Sequence, residues 1–166
     1  RLGVEAELTA DAEAIRGADK VILPGVSTAA TVMRRLRELD LVDTLRGLRQ
    51  PLLGVCVGMQ LLFERSEEDD TPCLGLLPGE VRRLPAGAGI RVPHMGWNRL
   101  RVRRADRLLA GFEDGDHAYF VHSYAAPPTD DCIASSDHGR EFAAVVRRGN
   151  VVGAQFHPER SSAAGE

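Results

Sequence analysis

Aromatic side chains are scarce in this chain: one Trp, two Tyr and five Phe make up 5% of 166 residues. A surface that reads single-stranded nucleic acid interleaves aromatics with basic residues. The series Arg99, Arg101, Arg103 and Arg104 alternates only with Leu100 and Val102, so it reads as a strand with one solvated face. Charge of one sign is lacking too, with 21 basic against 24 acidic side chains and a net charge of −3. That balance gives no electrostatic reason to expect nucleic acid or an anionic membrane as a partner. Apolar runs such as Val21 to Leu23 fall far below the length of a membrane span. Cysteine is limited to Cys56, Cys73 and Cys132, widely spaced and with no CxxC pair. This argues against a disulfide framework and a zinc site, and implies a reducing, cytoplasmic setting. An initiator Met and a charged-then-apolar leader are missing, so no targeting segment is expected.

What is present fits one domain of ordinary globular composition over residues 1–166. Short apolar strands alternate with helical patterns in the first half: Val4 to Leu8, a helix around Asp11 to Arg16, then Lys20 to Leu23 running into Pro24 and Gly25. From Thr28 to Leu48 apolar residues recur at three- and four-residue spacings, which predicts one amphipathic helix or two in succession. Pro51 to Val55 reads as a buried strand, Met59 to Phe63 as helical, and Glu64 to Asp70 as acidic and loop-like, with the Glu67 to Asp70 run solvated. After Pro72 come short strands: Glu80 to Leu84, Trp97 to Val102, Ala118 to Tyr124, Cys132 to Ser135, Ala143 to Arg148 and Val151 to Phe156. Gly149 and Asn150 between the last two signal a two-residue hairpin. The pattern predicts an α/β fold, a mostly parallel open sheet of flavodoxin-like type with flanking helices, followed by a strand-rich extension.

The segment Leu53, Gly54, Val55, Cys56, Val57, Gly58, Met59, Gln60 places a cysteine, with glycines two residues to either side, where a buried strand meets a helix. This is the pattern of a nucleophile elbow, in which a sharp turn exposes the side chain above a sheet. The helix N-terminus is expected to favour the thiolate, and the Val57 amide to stabilise an oxyanion. The other reading is a buried structural cysteine beside helix-packing glycines. A thiol nucleophile needs a base, and Gln155, Phe156, His157, Pro158, Glu159 offers one. In extended chain residues two apart face the same way, so Glu159 would accept a hydrogen bond from His157 and fix its tautomer. A surface turn is the alternative for HPE taken alone. Strand ends at Val55 and Phe156 would lie together on the carboxyl edge of a parallel sheet.

The motifs GVCVGMQLLF at Cys56, PGVS at Pro24 to Ser27, PHMGWN at Pro93 to Asn98, YFVHSY at Tyr119 to Tyr124 and QFHPERS at Gln155 to Ser161 resemble the class I glutamine amidotransferases. More narrowly they resemble the glutaminase subunits of imidazole glycerol phosphate synthases, from histidine biosynthesis. Met59, PHMGWN and the Arg160, Ser161 continuation carry the narrower likeness. Aminodeoxychorismate- and anthranilate-type amidotransferases are the nearest alternative, but they place histidine where Met59 stands. The resemblance implies L-glutamine as substrate, Cys56 as nucleophile, His157 as base and Glu159 as its orienting acid. It implies glutamine contacts at Gly25, Gln60, Ser123 and Tyr124, and an oxyanion site from the Val57 amide and the Val26, Ser27 peptide. No metal or cofactor is implied. The implied partner is a separate (β/α)8-barrel cyclase subunit that receives the ammonia, forming a heterodimer. The family usually has glycine where Ser27 stands, which bears on any loop flip needing positive φ. Against the family pattern, a first strand with its glycine-containing loop and a last helix are expected to be missing. A truncated docking module without turnover is the rival from outside enzymology.

Trp97 and Tyr119 match family positions on the face that docks on the cyclase, with core packing as the alternative. Arg160 either pairs with a partner carboxylate or is simply solvated. His94 and His122 lack metal-ligand spacing and read as satisfied structural histidines. His117 and His138 read as loop residues, and Cys73 and Cys132 as inert thiols.

Overall fold

Local capping starts the fold. Asp11 accepts the Ala14 N–H at 2.7 Å and opens helix α1, Ala12–Gly17. Thr28 does the same for the Thr31 N–H at 3.2 Å at the head of α2, Ala29–Glu38, which buries Ala29, Met33 and Leu36. In the computed structural model of the protein, residues 5–87 and 89–165 are described. Helix α3, Val42–Arg46, follows α2, and α4, Val57–Gln60, follows the elbow. The strands in chain order are β1 Val21–Leu23, β2 Leu52–Val55, β3 Arg65–Ser66, β4 Thr71–Pro72, β5 Glu80–Arg83, β6 His94–Arg99 and β7 Arg101–Val102. They continue as β8 His117–His122, β9 Tyr124–Ala125, β10 Cys132–Asp137, β11 Glu141–Arg148 and β12 Val151–Ala154.

The main sheet has the order β1-β2-β12-β11-β10-β7. Its α/β class agrees with expectation, but the parallel pairing is confined to β1, β2 and β12. β12, β11, β10 and β7 pair antiparallel. For β11 and β12 the cause is the Gly149, Asn150 turn, and for β10 and β11 the three-residue link 138–140, since connections so short join only antiparallel neighbours. Gly149 takes φ +58° there. Asn150 then does a second job: its side-chain amide donates to Leu48 O and Gln50 O at 3.0 and 2.9 Å, drawing the start of β12 to the start of β2. Two smaller sheets, β4-β3-β5-β9 and the β6-β8 ribbon, lie beside the main one. One apolar cluster, including Met33, Leu52, Met59, Leu61 and Phe63, packs the helices on the parallel half. A second, including Leu100, Phe120, Ile133 and Phe142, joins the antiparallel half to the ribbon.

Three expectations change. Residues 5–8 form no strand, and Leu8 is 98% exposed, because no sheet edge takes up their hydrogen bonds; Val4 lies outside the described residues. The acidic run is solvated as expected, with Glu67, Asp69 and Asp70 exposed, but it is not a plain loop, since Glu68–Asp70 forms a 3-10 turn and three of the carboxylates have backbone partners. Glu64 accepts the Gly79 N–H at 2.9 Å, Glu67 the Arg83 N–H at 2.7 Å, and Glu68 the Ala29 N–H at 2.8 Å, so these carboxylates satisfy backbone donors that strands and helix leave open. His117 begins β8 rather than lying in a loop. Among the described residues no helix is long and apolar enough to cross a membrane.

Close backbone approach explains the elbow glycines. A Cβ on Gly58 would overlap the Leu23 carbonyl oxygen, and one on Gly54 would lie 2.5 Å from the Gly58 carbonyl oxygen. Gly17, by contrast, has open space around it. Gly58→Ala is therefore expected to destabilise the protein by about 3 kcal/mol, whereas Gly17→Ala is expected to be neutral or stabilising by about 0.5 kcal/mol. Urea unfolding of both variants measures this, and equal effects would contradict the packing account.

Candidate active site

Cys56 sits between β2 and α4 with φ 54° and ψ −112°, a conformation costly for a residue with a side chain. Its N–H donates to Ala154 O at 2.8 Å, continuing the β2-β12 ladder by one rung into the turn. The thiol is 4% exposed, 3.7 Å from Val121 O and 3.9 Å from Gln155 Nε2. The sequence led us to expect a helix N-terminus that favours the thiolate. Burial outweighs it: desolvation pushes the Cys56 thiol up to about 11, the Val57 N–H opposes this, and the Glu159 charge adds to the rise. A four-residue helix has too few aligned peptides to reverse that balance.

His157 follows β12, and its N–H donates to Tyr119 O at 2.9 Å. Its carbonyl accepts from Ser161 Oγ at 2.7 Å, and Ser161 Oγ in turn accepts the Tyr119 N–H at 3.0 Å. The imidazole Nδ1 lies 2.9 Å from Glu159 Oε1, so Nδ1 carries the proton and Nε2 is left with a free lone pair. The pair forms by a different route from the extended chain expected. His157 caps a short 3-10 turn, Pro158–Arg160, and the turn brings Glu159 back to the ring. Proline at the first position fixes the φ that such a turn needs.

One cleft of about 370 Å³ brings together Val26, Ser27, Cys56, Val57, Gln60, Ser123, Tyr124, His157 and Arg160, all singled out from sequence. Gly25 does not line it; it packs behind, where a Cβ would lie 2.8 Å from Val57 Cβ and 2.9 Å from Gly58 N. Ser27 is absent from the residues with positive φ, so its side chain meets no backbone strain in this conformation. The cleft also holds Glu68, Val121 and His122, which sequence reasoning did not place there. For Glu68 the available signal was its place in an acidic run just downstream of the elbow, read instead as solvation. Trp97 is 54% exposed on the outer side of the ribbon, which sets core packing aside. Its ring meets Tyr119 edge-on at 5.9 Å, and the Arg160 guanidinium lies 4.7 Å from the centre of the Tyr119 ring. Among the described residues no group of three or more His, Cys, Asp and Glu side chains is placed to hold a metal.

The family model for glutamine amidotransferase class-I matches residues 4–166. The chain belongs to the class I glutamine amidotransferases. It is 59% identical over 165 residues to the imidazole glycerol phosphate synthase subunit HisH of Xanthomonas oryzae pv. oryzae, covering 99% of this chain and 82% of that one. It is 58% identical to the HisH subunit of Xylella fastidiosa, with the same coverage. Among solved structures, a glutamine amidotransferase crystal structure superposes with a TM-score of 0.73 at 24% identity, over 99% of this chain and 83% of that one. A glutamine amidotransferase from Thermotoga maritima gives 0.59 at 19% identity, over 85% of this chain and 56% of that one. At such identities these two show the fold.

Behind the cleft this amidotransferase carries a buried polar ladder. His94 and His122, paired across β6 and β8, are 4% and 5% exposed. His122 Nδ1 lies 2.9 Å from Tyr124 O, and a carbonyl only accepts, so Nδ1 is protonated. Its Nε2 then accepts from His94 Nδ1 at 3.1 Å, and His94 Nε2 accepts from the Asn98 amide at 3.2 Å. Both rings are neutral, as expected for structural histidines. Burial pushes His94 down to about 4 and His122 to about 3, with the stacked His138 adding to both shifts. His138 is thus packed against the ladder, although it lies outside the strands.

Because the unfolded chain takes up protons on these two histidines near 6.5 and the folded chain does not, their contribution is fully present above that pH. Stability should fall as pH drops from about 6.5 toward about 4. Thermal melts across that interval test this, and a midpoint independent of pH would contradict neutral rings. A second expectation concerns Cys56. In the isolated chain its alkylation by iodoacetamide, followed by peptide mass spectrometry, should keep accelerating above pH 9 toward about 11. A plateau near neutrality would mean that the thiolate is stabilised more than its burial implies.

Proposed function

We propose that the chain is the glutaminase subunit of an imidazole glycerol phosphate synthase, with Cys56, His157 and Glu159 as its catalytic triad. The observation that carries the triad is the elbow cysteine, held at positive φ, in one cleft with a histidine whose Nδ1 is already engaged by a carboxylate. Identity above half to HisH subunits supports the narrower assignment.

In this reading L-glutamine enters the cleft with its carboxamide carbon at Cys56 Sγ. His157 Nε2 takes the thiol proton, sulfur bonds to carbon, and the oxyanion meets the Val57 N–H and an amide of the Val26, Ser27 peptide. The imidazolium passes its proton to the departing nitrogen, which leaves as ammonia while a thioester remains. His157 then deprotonates water, which attacks the thioester and releases glutamate with the thiol restored. Glu159 holds the tautomer and offsets the charge on the ring. The α-ammonium of glutamine fits the Glu68 carboxylate and the Gln60 carbonyl, while Ser123 and Tyr124 line the opposite wall. Gly25 acts by letting the loop lie close to the elbow.

The ammonia is delivered to a (β/α)8-barrel cyclase in the cytoplasm, where a formimino-type ribulotide becomes imidazole glycerol phosphate and aminoimidazole carboxamide ribotide. Half-exposed Trp97 and Met95, with Tyr119 and Arg160, supply an apolar and cationic face for that heterodimer. The buried, protonated thiol supports turnover that depends on docking. It is also the one observation that favours the second reading, a docking module without turnover.

Ammonia release from glutamine, measured for the chain alone, with the cyclase, and with cyclase plus acceptor, separates these. Turnover is expected in the last mixture, abolished by Cys56→Ala, reduced by about three orders of magnitude by His157→Ala, and reduced by Glu159→Gln, which no longer fixes the tautomer. Docking without turnover in every mixture would establish the second reading. Turnover that survives Cys56→Ala would remove the proposed nucleophile.

A further inference from the structure

The histidine ladder does not end at the Tyr124 carbonyl. That oxygen also accepts from Gln60 Nε2 at 2.8 Å, and Gln60 Nε2 spends its other hydrogen on Gln155 Oε1 at 3.1 Å. Gln60 is therefore oriented by acceptors on both sides. Turning its amide over would set Oε1 against the Tyr124 carbonyl, oxygen facing oxygen. Gln155 is constrained in the same way: with Oε1 receiving the Gln60 N–H, its Nε2 must point the other way, and there lies Cys56 Sγ at 3.9 Å. The Gln155 side chain is fully buried, and its backbone N–H donates to Ala144 O at 2.9 Å. A polar side chain in the core is retained only where its groups are satisfied, and this one is satisfied by a substrate-cleft amide at one end and the thiol at the other.

We propose that Gln155 is a further catalytic residue of this site, whose side-chain N–H, aimed by Gln60 and the His94, His122 ladder, stabilises the Cys56 sulfur as its charge develops. The proposal rests on the reading of Cys56 as nucleophile. At 3.9 Å the donor is at the outer reach of a contact to sulfur, so its pull on a neutral thiol is small and grows once the sulfur is ionised. The Val57 N–H already opposes the burial that holds the thiol protonated, and the Gln155 N–H would act beside it as the sulfur ionises. The ionisable side chains around the sulfur are Glu68, His122, Tyr124, His157 and Arg160 in the cleft, together with the charge of Glu159. None of them changes when Gln155 is replaced by an uncharged residue.

The test uses the full chain. Gln155→Met keeps length and volume and removes the donor. Its Cys56 should react with iodoacetamide at slightly alkaline pH about three- to tenfold more slowly than wild type, while labelling of buried Cys73 and Cys132 stays unchanged. In the turnover assay kcat should fall by a similar factor with little change in KM. An unchanged or faster Cys56 rate, with the other two thiols still protected, overturns the proposal. Should Gln155→Met expose all three thiols, the wild-type chain decides. Its Gln155 side-chain carbonyl carbon resonance should move as Cys56 titrates, and a resonance indifferent to that titration overturns the proposal. Labelling needs no turnover, so this inference and the glutaminase assignment fail separately.

Discussion

The parallel pairing of β2 with β12 is the constraint on which the rest depends. Its last rung, the Cys56 N–H to Ala154 O bond of 2.8 Å, puts the end of one strand level with the end of the other. Cys56 and His157 are far apart in sequence, yet each follows its strand by only a few residues, so the pairing alone delivers both to one edge. Asn150 fixes the register from the opposite end by bonding the backbone on both sides of Arg49. Glycines make the approach possible, since Gly54 and Gly58 meet across the elbow and Gly153 faces Met59 from β12.

Strand β8 is the second shared element. Val121 O faces the thiol, Tyr119 O takes the His157 N–H, and the Tyr119 N–H holds Ser161, which in turn holds the His157 carbonyl. The same strand pairs with β6, whose outer side exposes Met95 and Trp97. A force on that exposed face therefore acts on a strand in contact with both members of the cleft. In the proposed reading, this gives docking a mechanical route to a thiol that rests protonated.

A polar network running from half-buried Asn98 through two neutral histidines to Gln60 and Gln155 gives the cleft its fixed hydrogen-bond polarity. Each partner dictates the next because a carbonyl only accepts and a neutral imidazole has one donor and one acceptor. Replacing one member removes a partner from its neighbour, so the effects of changes within the network are expected to be coupled.

Much of this was written locally. Asp11 and Thr28 cap their helices where sequence placed them, Gly149 and Asn150 turn the hairpin, and the elbow and the HPE motif mark the cleft, because each depends on neighbours a few residues away. Residues whose meaning depends on distant partners were misread or passed over. Glu68 looked solvated until Ala29 supplied its donor, His122 was read correctly as structural but not as part of the cleft wall, and Gln155 had no role until Cys56 lay at the end of its amide. The alternation of apolar strands and helices determined the α/β class, but the antiparallel direction of β12, β11 and β10 was set by two connections too short to cross over. Sequence by itself marked most of the residues that the structure gathers in one cleft. Only the tertiary structure decided the protonation of Cys56, because solvent exclusion is a property of everything packed around a residue and not of its neighbours in the chain.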